Sequence, residues 1–193
     1  MTRTVCWIPA AALGLALFAD GAQAQTALTV GTGAGLTIPI GDLADAQGLG
    51  WNAQGNIGVQ NPGWPIALRF DVMYHSLSGE DGAVGGVQFE GRSLQIISGI
   101  ANAELYVSRA ANGGGLFLVG GAGIYNLDAE DDDDILETES STDFGLVGGA
   151  GYKLAMTNLF LSIEGKFHNI FGEGGDGQLI PINVVVEIPL GGN

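Results

Sequence analysis

Apolar and polar positions alternate with a period of two residues along most of the chain. In Ile66–His75, large apolar side chains occupy every second position, and Arg69 and Asp71 lie between them. The same alternation runs through Leu159–Phe171 and Ile180–Leu190. Because successive side chains of a β-strand point to opposite faces, this period predicts strands with one apolar face and one polar face.

Five weaker segments complete a set of eight predicted strands. Two of them lie around Leu28–Ile38 and Trp51–Gln60, and three run at about Ser93–Val107, Leu116–Leu127 and Thr142–Leu154. The alternation changes phase at Ile96–Ile97, which suggests a β-bulge or a change of register. All eight strands are long for a soluble domain, where about 5–6 residues is usual.

The connections between these strands alternate between long and short. The long ones are predicted at Pro39–Gly50, Ser78–Arg92, Asp128–Ser141 and Gly172–Gln178, and the short ones at Asn61–Pro65, Arg109–Gly114 and Met156–Asn158. This rhythm predicts an all-β, eight-stranded antiparallel up-and-down barrel, with loops at one rim and tight turns at the other. An even number of strands places both chain ends at the rim with the tight turns.

The few basic residues decide which face of the strands points outward. Arg69, Lys153 and Lys166 fall on the faces opposite the large apolar side chains. A soluble barrel would have to enclose those apolar side chains, and an eight-stranded interior is too narrow for them. A transmembrane barrel turns them towards lipid instead. Aromatic residues near predicted strand ends fit an interfacial girdle, namely Trp51, Tyr74, Tyr125 and Phe171 near the loops and Trp64, Tyr106 and Tyr152 near the turns.

Composition and the first residues agree with an exported membrane protein. The chain has 193 residues, of which 34 are Gly, and a formal net charge of −15. So few cations exclude a nucleic-acid partner. Residues 1–24 form a predicted signal peptide, with the apolar run Val5–Ala19 and the small-x-small site Ala22–Ala24, and residues 25–193 form the predicted barrel domain. Cys6, the only cysteine, lies in the signal peptide, so disulfides and cysteine metal sites are not expected.

The chain resembles the small eight-stranded outer-membrane barrels of the OmpX, OmpA-transmembrane and opacity type. The resemblance covers about Thr26–Leu190 and is carried by the strand rhythm and by runs such as Leu146–Tyr152 and Val119–Tyr125. It implies an outer-membrane location in a Gram-negative-type cell, with both termini in the periplasm. One departure is the end Ile188–Asn193, which lacks the usual terminal aromatic residue.

The charged residues of the polar faces form the main candidate site. The predicted lumen network consists of Arg69, Asp71, Glu104, Lys153, Glu164, Lys166, His168 and Glu187. Buried charges must pair with one another, since an unpaired one costs several kcal/mol. We expect these residues to form a packed polar plug. The alternative is a narrow gated pore, in which the residues exchange partners and open a path for water.

A second candidate is an acidic stretch in the third long loop. Asp128, Glu130, Asp131, Asp132, Asp133 and Asp134 could bind Ca²⁺ or Mg²⁺ weakly, and such an ion could bridge lipopolysaccharide phosphates. The stretch lacks the spacing of a specific calcium loop. A solvated loop with mutually repelling charges is the favoured interpretation.

The two histidines raise the possibility of catalysis. His75 with Ser76 or Ser78, or His168, could serve a lipid A-modifying enzyme, but no matching motif is present. We interpret both histidines as hydrogen-bonding residues of the lumen. The leading prediction is therefore a non-enzymatic, structural or surface-interaction barrel without a cofactor or a metal. Its expected partners are outer-membrane lipid, lipopolysaccharide and the outer-membrane assembly machinery.

Overall fold

The computed structural model describes residues 27–60, 64–79, 82–84, 87–89, 93–108, 110, 114–129, 140–172 and 175–190. The predicted signal peptide lies outside this set and stays a prediction. The strands are β1 (Ala27–Ile40), β2 (Gln47–Gln60), β3 (Ile66–Gly79), β4 (Gly82–Val84), β5 (Val87–Phe89), β6 (Leu94–Tyr106), β7 (Gly115–Ala129), β8 (Ser140–Ala155), β9 (Phe160–Gly172) and β10 (Gly175–Leu190). A short 3₁₀ helix, Gly41–Asp45, lies between β1 and β2.

Eight of these strands close into a barrel in the order β1-β10-β9-β8-β7-β6-β3-β2. Every neighbouring pair is antiparallel, and the barrel closes where β1 pairs with β10 from Leu28 opposite Leu190 to Ile40 opposite Gln178. This confirms the predicted fold class. The remaining strands, β4 and β5, pair with each other and form an additional hairpin between β3 and β6 that the sequence did not predict.

Both described ends of the chain lie at the rim that carries the short connections β2–β3, β6–β7 and β8–β9. We call this the turn rim and the opposite one the loop rim. The prediction that long and short connections alternate throughout is wrong at the loop rim. β9 ends at Gly172 and β10 begins at Gly175, so only two residues join them. The β1–β2 connection is also shorter than predicted, because both strands continue into the segment assigned to the loop.

The predicted irregularity at Ile96–Ile97 is absent. β6 pairs without a register shift with both β3 and β7. The register shift lies in β2 instead, between Gln47 and Gly50, where the Ser78 hydroxyl donates a hydrogen bond to the Leu49 carbonyl at 2.7 Å. The change of phase at Ile96 has another cause: apolar side chains fill the lumen at this level, so both faces of β6 are apolar.

The outward face of the barrel is apolar and the inward face contains the charges. On β3, Phe70 is 47% exposed and Val72 51%, whereas Arg69 is 3% exposed and Asp71 is fully buried. A soluble barrel would show the opposite sidedness. Within the described residues, no helix is long and apolar enough to span a membrane.

Inward-facing glycines allow large side chains to lie across the narrow lumen. A Cβ atom on Gly151 would collide with the Phe117 ring, and one on Gly145 would lie 2.6 Å from the Tyr125 ring. Because both rings are fully buried, they fill the space that a side chain on the opposing strand would need. These two glycines therefore accommodate aromatic rings.

Candidate functional site in the barrel lumen

Arg69 lies at the centre of a buried ion-pair network. From β3 its guanidinium group reaches three carboxylates: Asp71 at 2.7 Å, Glu104 at 2.6 Å and Glu164 at 2.9 Å. These acidic residues come from β3, β6 and β9, so one cation links strands from different sides of the barrel. A planar guanidinium group with five N–H donors is well suited to such simultaneous contacts with several carboxylates.

Two lysines complete the network. Lys166 contacts Asp71 at 2.9 Å and Glu164 at 3.0 Å, and Lys153 contacts Glu187 at 2.7 Å and Glu104 at 3.2 Å. Neutral side chains supplement the pairs: Gln54 donates to Glu164 at 3.1 Å, and Asn102 donates to Asp71 at 3.0 Å. Each of the seven charged residues is at most 5% exposed, so bulk water does not reach them.

The charges in the lumen do not cancel. The network contains three cations, Arg69, Lys153 and Lys166, and four carboxylates, Asp71, Glu104, Glu164 and Glu187. With every group ionised, the interior has one excess negative charge. Glu187 has a single ion pair among the described residues, whereas each of the other carboxylates has two.

An aromatic cluster closes the turn side of the network. Ala67, Tyr106, Phe117 and Val119 pack together there, and the Lys153 ammonium lies 5.6 Å from the centre of the Phe117 ring and 5.9 Å from that of Tyr106. Such distances allow cation–π attraction. A cavity beside the charges, lined by Thr29, Ala67, Arg69, Lys153 and Glu187 among others, measures about 10 Å³, no more than one water molecule needs.

A larger apolar cluster closes the lumen on the loop side. It contains Met73, Leu77, Ile96, Ile100, Tyr125, Val147, Ile170 and Leu179, all buried. Leu43 of the 3₁₀ helix packs against it from the loop rim. The lumen therefore has three layers, with charges in the middle and apolar side chains at both ends. The sequence predicted only the charged layer.

Both histidines lie in the lumen on the loop side of the charges, among the residues of the loop-side apolar cluster. His75 lies between Met73 and Leu77 on the inward face of β3, and His168 lies between Lys166 and Ile170 on that of β9. His75 Nδ1 is 2.9 Å from the Thr37 hydroxyl, and His168 Nδ1 is 3.0 Å from the Tyr125 hydroxyl. Neither serine forms a catalytic pair with His75, because Ser76 points to the opposite face of β3 and the Ser78 hydroxyl donates to a backbone carbonyl. Neither Ser76 nor Ser78 therefore supplies a nucleophile to His75, and both imidazoles are hydrogen-bonded to other hydroxyl groups.

The structure brings all eight residues of the predicted lumen network inside the barrel. Their functional role stays a prediction. In the acidic stretch, Asp128 lies near the end of β7, and Glu130, Asp131, Asp132, Asp133 and Asp134 lie outside the described residues. Among the described residues, no three His, Cys, Asp or Glu side chains come together in a way that could hold a metal ion.

The aromatic girdle was predicted correctly in part. Trp51 and Tyr152 are about half exposed on the outer face, and Trp51 packs on Tyr74 with ring centres 5.3 Å apart. Tyr106 and Tyr125, however, point into the lumen, so their assignment to the girdle is wrong. In the two-residue alternation, both tyrosines occupy inward-facing positions of their strands. This alternation could have assigned them to the lumen, but their position near strand ends suggested the girdle instead.

Comparison with solved structures identifies the fold. Neisserial surface protein A superposes with a TM-score of 0.57 at 14% identity, over 84% of this chain and 97% of that one. A major outer membrane protein of Thermus thermophilus gives 0.60 at 14% identity, over 86% and 100%. The fold is that of the small eight-stranded outer-membrane barrels. The sequence itself matches no protein-family model and no curated protein.

Proposed function

We propose that the protein is a non-enzymatic outer-membrane barrel with a structural or surface-interaction role. The apolar outer face supports a position in lipid, since strands of 13–16 residues, tilted as in such barrels, are long enough for an apolar band of about 25 Å. The test is fractionation of cells that express the chain. We expect the protein in the detergent-extracted outer membrane, with a gel mobility that changes on boiling. Recovery in the soluble periplasm would contradict the proposal.

One observation favours a structural role over a transport role. The charged layer of the lumen is enclosed between two apolar layers. A hydrated channel would leave its charged groups exposed to water, and here they are at most 5% exposed. In planar lipid bilayers we expect only small and poorly defined current steps. Large, steady channels from the purified protein would refute a closed lumen.

A narrow pore is the second candidate, because the charged residues form a continuous column through the middle of the lumen. Lys166 and Lys153 occupy different levels of this column, and Arg69 connects them through Glu104 and Glu164. If partner exchange opened the column, Lys166→Gln would change the conductance strongly. In a plugged barrel the same substitution leaves the current low.

The orientation and the partners are also part of the proposal. With both termini in the periplasm, the loop rim faces outward and the acidic connection between β7 and β8 becomes a contact surface. Outer-membrane lipid and lipopolysaccharide would surround the barrel, and the outer-membrane assembly machinery would insert it. Protease added to intact cells should cut within residues 130–139 and leave the β8–β9 turn intact. Cleavage at the β8–β9 turn alone would show that the barrel has the opposite orientation, with the turn rim facing outward.

A lipid A-modifying activity is the function that this proposal excludes. Ser76 and Ser78 do not pair with His75, as described above, which removes the nucleophile–base pair suggested by the sequence. Mass spectrometry of lipid A from cells with and without the protein should give identical species. A new acylated or deacylated species that depends on His75 would contradict the proposal.

A further inference from the structure

The two histidines of the chain meet in the middle of the lumen. His75 comes from β3 and His168 from β9, which lie on opposite sides of the eight-stranded ring. Their ring centres are 6.0 Å apart, the ring planes are nearly perpendicular at 79°, and both side chains are fully buried. Strands this far apart in sequence place the only two imidazole groups of the protein next to each other.

In each histidine, one ring nitrogen is hydrogen-bonded to a side chain of the barrel wall, and the other has no hydrogen-bond partner among the described residues. The Thr37 hydroxyl holds His75 Nδ1 and the Tyr125 hydroxyl holds His168 Nδ1. Both Nε2 atoms are buried and have no hydrogen-bond partner among the described residues. Nδ1 and Nε2 lie on opposite edges of an imidazole ring, so Nε2 is directed away from the wall. Histidines that bind metal ions show this pattern, with an oxygen group holding the second nitrogen.

A thioether occupies the neighbouring inward position of β3. Met73 precedes His75 by two residues on the inward face of β3, and its Sδ atom is 3.9 Å from the Nζ atom of Lys166. Lys166 in turn precedes His168 by two residues on the inward face of β9. The sulfur atom therefore lies between the two strands, one level closer to the turn rim than the imidazoles. Thioether sulfur favours soft ions such as Cu(I), and imidazole also binds copper.

Counted over the whole lumen, the charges match one additional monovalent ion, and the carboxylate with a single ion pair, Glu187, lies beside Lys153 on the turn side. The network has four carboxylates and three cations, and Lys166, the cation nearest to the histidines, is paired with both Asp71 and Glu164. One additional positive charge makes the interior neutral, whereas a divalent ion would leave it with an excess positive charge. Uncompensated charge in a buried site is strongly unfavourable.

We propose that His75, His168 and Met73 bind one soft monovalent metal ion of the Cu⁺ type. With metal–nitrogen distances of about 2 Å, two imidazoles on one ion have ring centres roughly 5–6.5 Å apart, and the observed 6.0 Å lies in this range. The site has two nitrogen donors and one sulfur donor, and it differs from the acidic loop both in position and in the kind of ion it selects.

The test uses Ag⁺ as a stable probe for this class of ion. Protein that carries Cys6→Ser, to remove the thiol, is purified from membranes, unfolded, refolded in detergent with Ag⁺ present so that the ion can enter before the lumen closes, and desalted, and the silver per chain is measured. We expect about one Ag⁺ per chain, and at least roughly a tenfold loss in His168→Gln and in Met73→Leu. Met156→Leu is the matched control, because Met156 is 60% exposed at the β8–β9 turn and should not affect retention.

Two further measurements keep the result unambiguous. The gel mobility of each variant before and after boiling shows whether it has folded. In the unsubstituted site, ¹⁵N NMR should show that Ag⁺ shifts the Nε2 resonances of both histidines and leaves Nδ1 nearly unchanged. Failure of the folded barrel to retain silver, or equal retention by His168→Gln, would overturn the proposal. Unshifted Nε2 resonances would also overturn the proposal. They would indicate that an internal water molecule, and not the metal ion, contacts the two Nε2 atoms.

Discussion

Replacing Arg69 should destabilise the barrel strongly, because this residue forms more ion pairs than any other described residue of the lumen network. Its guanidinium group contacts Asp71, Glu104 and Glu164 at 2.6–2.9 Å, and Arg69→Met removes all three contacts while keeping an apolar side chain. The lumen would then contain two cations and four carboxylates. Removing one member of a buried ion pair costs about 3–5 kcal/mol. Since Lys166 and Lys153 still pair with the three carboxylates, we expect a loss in this range and not a multiple of it.

The loss can be measured as the free energy of unfolding in urea, with the barrel in lipid vesicles and tryptophan fluorescence as the signal. Val72→Met is the control, because Val72 is 51% exposed on the outer face of β3 and its replacement should change this free energy by less than about 1 kcal/mol. The double variant Arg69→Met with Glu164→Gln removes one of the uncompensated carboxylates. It should be more stable than additivity predicts, by about 1 kcal/mol or more.

The reasoning fails if Arg69→Met costs no more than Val72→Met. It fails equally if the double variant loses the full sum of the two single losses, since the network would then store no coupling energy. A large loss with a changed dependence on urea would instead indicate that the barrel no longer unfolds in a single step. The urea dependence therefore has to be compared between variants before the free energies are interpreted.

Three further predictions concern the packing around the charges. Ile100→Ala should lower the free energy of unfolding in urea by about 2–5 kcal/mol, because a cavity forms in the loop-side cluster; the lipid-facing Ile97→Ala should cost less, and equal costs would contradict the packing. Gly151→Ala should cost about 1–3 kcal/mol, because its Cβ atom collides with the Phe117 ring; adding Phe117→Leu should recover part of this loss in a double-mutant cycle, and no recovery would exclude the collision. Tyr125→Phe removes the hydroxyl group that is hydrogen-bonded to His168 and should lower the free energy of unfolding by about 0.5–1.5 kcal/mol. The Nδ1 resonance of His168 should also shift in ¹⁵N NMR. An unshifted resonance would contradict the hydrogen bond.

The sequence predicts the barrel and the sidedness of its strands because both depend on a local period of two residues. Arg69 and Phe70 are neighbours, and their chemistry alone assigns one to the lumen and the other to lipid. The pairing within the lumen is not local. Which carboxylates Arg69 reaches depends on the stagger between β3, β6 and β9, and the composition of these strands does not encode that stagger directly.

The apolar ends of the lumen were missed for a similar reason. Met73, Leu77 and Ile96 interrupt the polar faces of their strands, and in the sequence such interruptions look like errors of phase. Only when the eight strands close the ring do these side chains meet the apolar side chains of β7, β8, β9 and β10 in one cluster. Leu43 belongs to a connection between strands, so strand periodicity contains no information about its position.

The central claim is that apolar side chains face lipid while charged and polar ones fill a closed lumen. Val184 and Val185 test it directly, because these neighbours in β10 are 50% and 0% exposed and have identical side chains. In lipid nanodiscs, cross-relaxation NMR should transfer magnetisation from the acyl-chain methylene protons to the methyl groups of Val184 and not to those of Val185. Transfer to Val185 without transfer to Val184 would contradict the account.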